Sequence, residues 1–230
     1  QLRLITKNRS YNATHVHNGL AFENALLDTQ MLVNEHPESS FLVGGVDEIS
    51  SYNYNIDLLA AWYSKTKTNT DLYKNGSDAT IAGEGAAMFL VNNTTEGALA
   101  KLDAVEIFQT TDQAAIEDRF KNFLEKFVPD VNHTIFISGE NGDRRSLPDY
   151  ATCEYAIGSS IPVVRYKHLT GEYPTASSFA VWLACQALQL QWLPDHFYKN
   201  EHNLTQIDRV VIYNQYQRKQ HSFMLISKVS

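Results

Sequence analysis

Residues 11–48 read YNATHVHNGLAFENALLDTQMLVNEHPESSFLVGGVDE, and their order decides the fold. Residues 11–16 are a short β-branched and aromatic run, the composition of a strand. Leu20, Ala21, Ala25, Leu26, Met31 and Leu32 then recur at helical spacing and predict a helix over residues 19–34. Residues 39–46, SSFLVGGV, predict a buried strand that ends in glycines beside Asp47 and Glu48. A strand that feeds a helix through a tight turn can hold a nucleophile at the helix N-terminus, where unpaired N–H groups favour an anion. The turn here contains no thiol.

Outward from this stretch, GEGAAMFLVNN (83–93) predicts a further strand after a long polar insertion. The second part of the chain repeats the alternation. Strands are expected at KLDAVEIFQT (101–110), HTIFISG (133–139), IPVVRYKHL (161–169), IDRVVIYNQY (207–216) and QHSFMLISKV (220–229). Helices are expected at AAIEDRFKNFLEKFV (114–128), around YATCEYAI (150–157) and at TASSFAVWLACQALQLQWL (175–193). This order implies a mixed sheet flanked by helices, an α/β protein in which residues 1–100 and 101–230 form two halves of one compact unit. The opening QLRLITKN reads as the tail of an amphipathic helix with no start signal, so the first half is expected to lack its opening strand, helix and strand.

Composition narrows the function classes. A formal charge of −7 over 230 residues, with basic residues scattered singly or as pairs such as Arg144-Arg145, argues against nucleic acid as partner. The longest apolar run, residues 179–193, is interrupted by Gln186, Gln189 and Gln191, so membrane insertion is not expected. Two cysteines, Cys153 and Cys185, are too few for a disulfide framework and fit a reducing cytoplasm. Sequons such as those at Asn92 and Asn132 arise readily in an Asn- and Thr-rich chain.

Three segments carry a family resemblance. LVGGVDE (42–48), GSDATIAGEGAAMFLV (76–91) and KHLTGEYPTASSFAVWLA (167–184) resemble, in order and separation, segments of the β-ketoacyl synthases of the thiolase-like superfamily. The local form, with SGENGD (138–143), is similar to synthase-like proteins found beside aryl-polyene and flexirubin-type pigment pathways. The resemblance implies a thiolase-like α/β/α/β/α sandwich of two pseudo-symmetric halves, the first incomplete. The helices over residues 19–34 and 175–193 would lie buried between two sheets. It further implies acyl carrier protein as substrate carrier, no cofactor, and pairing as a homodimer or with a Cys-bearing ketosynthase through the strand at residues 11–16.

The family's catalytic residues do not carry over. Aligning Gly19 with the glycine after the family cysteine puts that cysteine at Val16, with His15 and His17 as the alternatives. The two family histidines fall at Ser138 and Glu172, and Lys167 alone matches by type. The resemblance therefore implies a non-catalytic, chain-length-factor-like subunit. Its rivals are an acyltransferase or condensing enzyme built on His17, Ser138 or Glu172, and an acyl-chain binding homodimer.

Other readings attach to the same residues. His15 and His17, two apart in an extended segment, with Glu172 or Glu84, form a conceivable metal set, but hydrogen-bonded histidines at a turn are the commoner outcome, and no metal is expected. Lys167 and Glu172 read as a buried ion pair. Glu140 and Asp143 read as a solvated turn, and Cys185 as a small core residue.

Overall fold

The computed structural model describes residues 5, 7–74, 76–201 and 203–229. Most of the QLRLITKN segment, and with it the expected helix tail, lies outside the described residues. The elements in chain order are α1 (Ala21–Glu35), β1 (Phe41–Asp47), α2 (Ser51–Leu59), β2 (Gly85–Val91), β3 (Lys101–Gln109), α3 (Gln113–Phe127), β4 (Thr134–Ser138), α4 (Leu147–Ile157), β5 (Val163–Arg165), α5 (Lys167–Thr170), α6 (Ser177–Leu190), β6 (Arg209–Tyr216) and β7 (Gln220–Ser227).

β1 and β2 form an antiparallel pair, and the other strands form a sheet in the order β3-β7-β6-β4-β5. β4 is buried along its whole length and runs parallel to both β5 and β6, as expected of a continuous apolar strand covered on two faces. β6, β7 and β3 continue the sheet antiparallel.

Strand alternation divides the apolar residues into two cores. On one face Ile135, Ile137, Val210, Ile212, Met224 and Ile226 pack against Phe22 and Leu26 of α1 and Ala180, Ala184 and Ala187 of α6, with Val43 of β1 beyond the helices. On the other face Phe136, Val211, Phe223 and Leu225 meet Ile116, Phe120 and Phe123 of α3 and Tyr150 and Cys153 of α4. The layers are thus a two-stranded sheet, the α1/α6 pair, a five-stranded sheet and the α3/α4 pair. The alanines of α6 let it approach both sheets, and burial of α1 and α6 between the sheets follows the expectation.

Two expectations are corrected. No strand forms at residues 11–16. A strand needs a ladder partner, and here the segment is fastened to α1 through side chains: Tyr11 Oη donates to Asp28 Oδ2 at 2.6 Å, and His15 Nε2 lies 3.3 Å from the same oxygen. The strand expected over residues 161–169 keeps only Val163–Arg165 before the chain turns into α5. The polar insertion contains a helix, α2, started by Ser50, whose Oγ accepts from Asn53 N at 3.1 Å; none of its residues is buried.

One side chain makes three of the bonds that hold the rest of the insertion. Lys67 Nζ donates to the carbonyls of Ala79 and Gly142, each at 2.6 Å, and of Ser77 at 3.1 Å. Among the described residues no helix is long and apolar enough to cross a membrane.

Candidate functional site

The start of α1 is the first part of the site. Gly19 lies against β6 so closely that a Cβ there would stand 2.1 Å from Cβ of Tyr216, which is why this position carries no side chain. Val16, where the resemblance places a nucleophile, is 90% exposed and apolar. Leu20 at the N-cap offers no side-chain acceptor, and His17 supplies it: its Nδ1 accepts from Leu20 N at 3.2 Å. His15 is engaged by Asp28, so neither histidine is poised as a free base.

The second part is the floor opposite. Lys167 opens α5 and is completely buried. Its ammonium donates to Glu172 Oε1 at 2.9 Å, to Glu172 Oε2 at 2.7 Å and to Asn214 Oδ1 of β6 at 3.0 Å. An ammonium has three protons, and all three are engaged. Glu172 Oε2 also accepts from Asn141 Nδ2 at 2.7 Å. Glu172 is placed by Gly171, which has φ +70° and lies backbone to backbone against Gly83; a Cβ on Gly83 would stand 1.9 Å from Thr170 O. The first glycine of GEGAA is therefore a site of close packing, bracketed by Glu172 N donating to Ile81 O and Gly83 N donating to Glu172 O.

Glu23, in the first turn of α1, is a residue that sequence reading missed. It is fully buried; Ser222 Oγ of β7 donates to its Oε1 at 2.9 Å, while Oε2 has no hydrogen-bond partner among the described residues. Burial holds its carboxyl above the usual carboxylate range, although Ser177, Ser222 and Asn214 favour the charge. Asn214 of β6 thus accepts from Lys167 and also favours the charged form of Glu23. A glutamate in a first helical turn ordinarily signals favourable interaction with the helix dipole in water, so no pattern in the sequence marked this one as buried.

The remaining candidates lie elsewhere. Ser138 ends β4 on the same side as Phe136, the α3/α4 side, whereas Asn214 and Ser222 fall with Ile212 and Met224 on the α1/α6 side; its buried Oγ has no partner among the described residues. Cys153 is buried in the α3/α4 core, where burial pushes its thiol well above the usual range, and burial raises the Cys185 thiol to about 11. The turn at residues 138–143 is not solvated as expected. Glu140 is buried between Arg165 and Lys199, and Asp143 is buried under a bidentate Arg145. Glu84 accepts from Ile49 N, so His15, His17, Glu84 and Glu172 each have separate partners, and the described residues contain no cluster of three or more metal-ligating side chains.

Between floor and insertion lies a pocket of about 20 Å³ whose lining includes Asp57, Trp62, Tyr63, Asp143 and Glu172 together with Tyr216 at the end of β6 and Gln217 in the turn that follows. Tyr63 Oη donates to Glu172 O at 3.4 Å and Thr80 Oγ1 to Asn141 O at 2.5 Å. The phenol of Tyr216 is raised to about 12 by burial and by the charges of Asp57 and Glu172, and that of Tyr63 is raised by the same causes. The arrangement can bind through acceptors and aromatic faces; it offers no activated nucleophile.

No family model matches the sequence, and no curated protein matches it. Solved structures do. A type II PKS acyl-carrier protein in complex with its ketosynthase matches with a TM-score of 0.70 at 14% identity, over 99% of this chain and 62% of that one. A β-ketoacyl synthase from Burkholderia phymatum STM815 matches with a TM-score of 0.73 at 14% identity, over 100% and 64%. The ishigamide ketosynthase/chain length factor matches with a TM-score of 0.68 at 15% identity, over 99% and 60%. The chain therefore has the thiolase-like fold of the ketosynthases, as the resemblance implied, and spans less than two thirds of the length of these structures.

Proposed function

We propose that this chain is a ketosynthase-like subunit that does not itself condense, and that it acts as a chain-length-factor-like partner in the building of carrier-bound acyl chains. The observation that carries the reading is the closed floor. Where the synthase pattern has a histidine, Glu172 saturates Lys167, and Asn214 takes the last ammonium proton. A carboxylate at that position repels a developing enolate instead of stabilising it. The α1 terminus adds an exposed valine where a thiolate would attack.

The ishigamide structure pairs a ketosynthase with a chain length factor, and another match is a complex with acyl-carrier protein. By that likeness we assign a Cys-bearing ketosynthase as the partner of this chain and acyl carrier protein as the donor of its chains. Residues 11–16, which carry no ladder in the single chain, are the segment we assign to strand pairing across the subunit interface.

Intact-mass spectrometry after incubation with acyl- and malonyl-loaded carrier protein tests the reading. The expected outcome is no adduct and no decarboxylation by the chain alone, with co-purification of a Cys-bearing ketosynthase. A stable acyl adduct on His15, His17, Ser138 or Cys153 would replace it with the acyltransferase reading.

A further inference from the structure

The pocket beside Glu172 has a charge and a lining that the ketosynthase-like reading does not use. Three carboxylates line it: Asp57, Asp143 and Glu172. Glu172 is neutralised by Lys167, and Asp143 by Arg145, whose guanidinium also lies 4.1 Å from the centre of the Trp62 ring. The Asp57 carboxylate accepts no hydrogen bond and joins no ion pair among the described residues, and burial raises it above the ordinary range. One negative charge in the lining is thus uncompensated.

The walls are aromatic: Trp62 and Tyr63 on one side, Tyr216 on the other, with Tyr63 stacked on Tyr54 at 5.9 Å. They are built into place. The backbone N–H groups of Trp62 and Tyr63 both donate to Asp57 O, folding the two rings under the end of α2. The turn is made at Ala61 with φ +57°, and Tyr216 is followed by a hairpin turn of Gln217 and Arg218 with φ +49° and +56°. Left-handed backbone is unfavourable at non-glycine residues, and both walls carry it.

We infer that this pocket binds an organic ammonium group, a small alkylammonium head held by the Asp57 carboxylate and the rings of Tyr63 and Tyr216, beside the Trp62 ring that Arg145 already covers. Ring faces present negative charge to a cation, and a carboxylate with no partner supplies the counter-charge. The room, about 20 Å³, fits one small head and leaves the rest of the ligand outside. The pocket's acceptors, Glu172 and the Asp57 carboxylate, suit N–H donors better than a phosphate or carboxylate, which they would repel.

The test titrates methylammonium and n-butylammonium chlorides, whose –NH3+ heads are about the size of a water, into the intact protein at low salt, following ligand proton resonances by NMR. 1-Butanol serves as the neutral analogue. Expected are upfield-shifted, saturable ammonium signals, at least tenfold weaker binding in Asp57→Asn, and no change in Asp118→Asn, an exposed carboxylate on α3. Thermal melts show that both variants are folded. Equal binding of the neutral alcohol, unchanged affinity in Asp57→Asn, or no saturable signal with either ammonium would each overturn the inference. None of these results depends on whether the chain is acylated or pairs with a ketosynthase.

Discussion

The two parts of the candidate site differ in what they do with charge. At the floor, an ammonium and a carboxylate are drawn out of water, with all three ammonium protons of Lys167 engaged by Glu172 and Asn214 and a further bond from Asn141 to Glu172. At the α1 terminus, a few residues from the buried Glu23, the chain leaves Val16 in solvent and caps the helix with one imidazole. One region is dry and closed, the other wet and open. A condensing site requires the reverse, a sheltered nucleophile facing donors that are free to serve a substrate. The difference locates the structural commitment of this chain in its floor.

The strongest way to break that contrast is to open the floor. Lys167→Met leaves Glu172 buried without its cation and should cost about 3–5 kcal/mol, read by urea denaturation at neutral pH. Lys167→Met combined with Glu172→Leu should recover most of the loss. A single variant as stable as the wild type would mean the pair is not dry.

Glu23 sharpens the same comparison through pH. Its folded-state pKa is raised by burial, so its contribution is fully present below the unfolded value, near 4.3, and is lost as pH rises towards the folded value. One such proton changes stability by at most about 1.4 kcal/mol per pH unit. Glu23→Gln should flatten this part of the curve, measured by denaturation between pH 4 and 8. An unchanged slope would place the proton on another group.

Smaller effects belong to the open end. His17→Ala removes the acceptor for Leu20 N and should cost about 1 kcal/mol, the usual size of a lost N-cap, seen as a lower melting temperature. Val16→Cys should change stability by no more than about 0.5 kcal/mol and give a thiol that iodoacetamide labels readily, because the position is exposed. That thiol should still take no acyl group from a carrier, since the floor has no donor to spare.

Parts of this were legible in the chain. The alanines of α6 and the apolar TIFIS run forecast burial, and Lys167 and Glu172, five residues apart around a glycine, forecast their own pairing. Other parts were hidden for physical reasons. Residues 11–16 have strand composition, yet composition expresses a preference that only a neighbouring strand can satisfy. α2 buries nothing, so it has no apolar stripe to read. Ser138 had a position by resemblance, but the face it occupies is set by the register of β4 against β6. Glu23 was invisible because an acidic residue on a helix normally meets water, and only the packing of distant strands decides otherwise.

The hold of Lys67 on three carbonyls has a consequence for proteases. Trypsin must draw a lysine side chain into its own specificity pocket and straighten the backbone around it. Lys65 and Lys74 are exposed and can be drawn in, whereas the ammonium of Lys67 is already spent on Ser77, Ala79 and Gly142. A brief digest of the native protein should therefore cut this insertion at its flanking lysines and pass over the one between them.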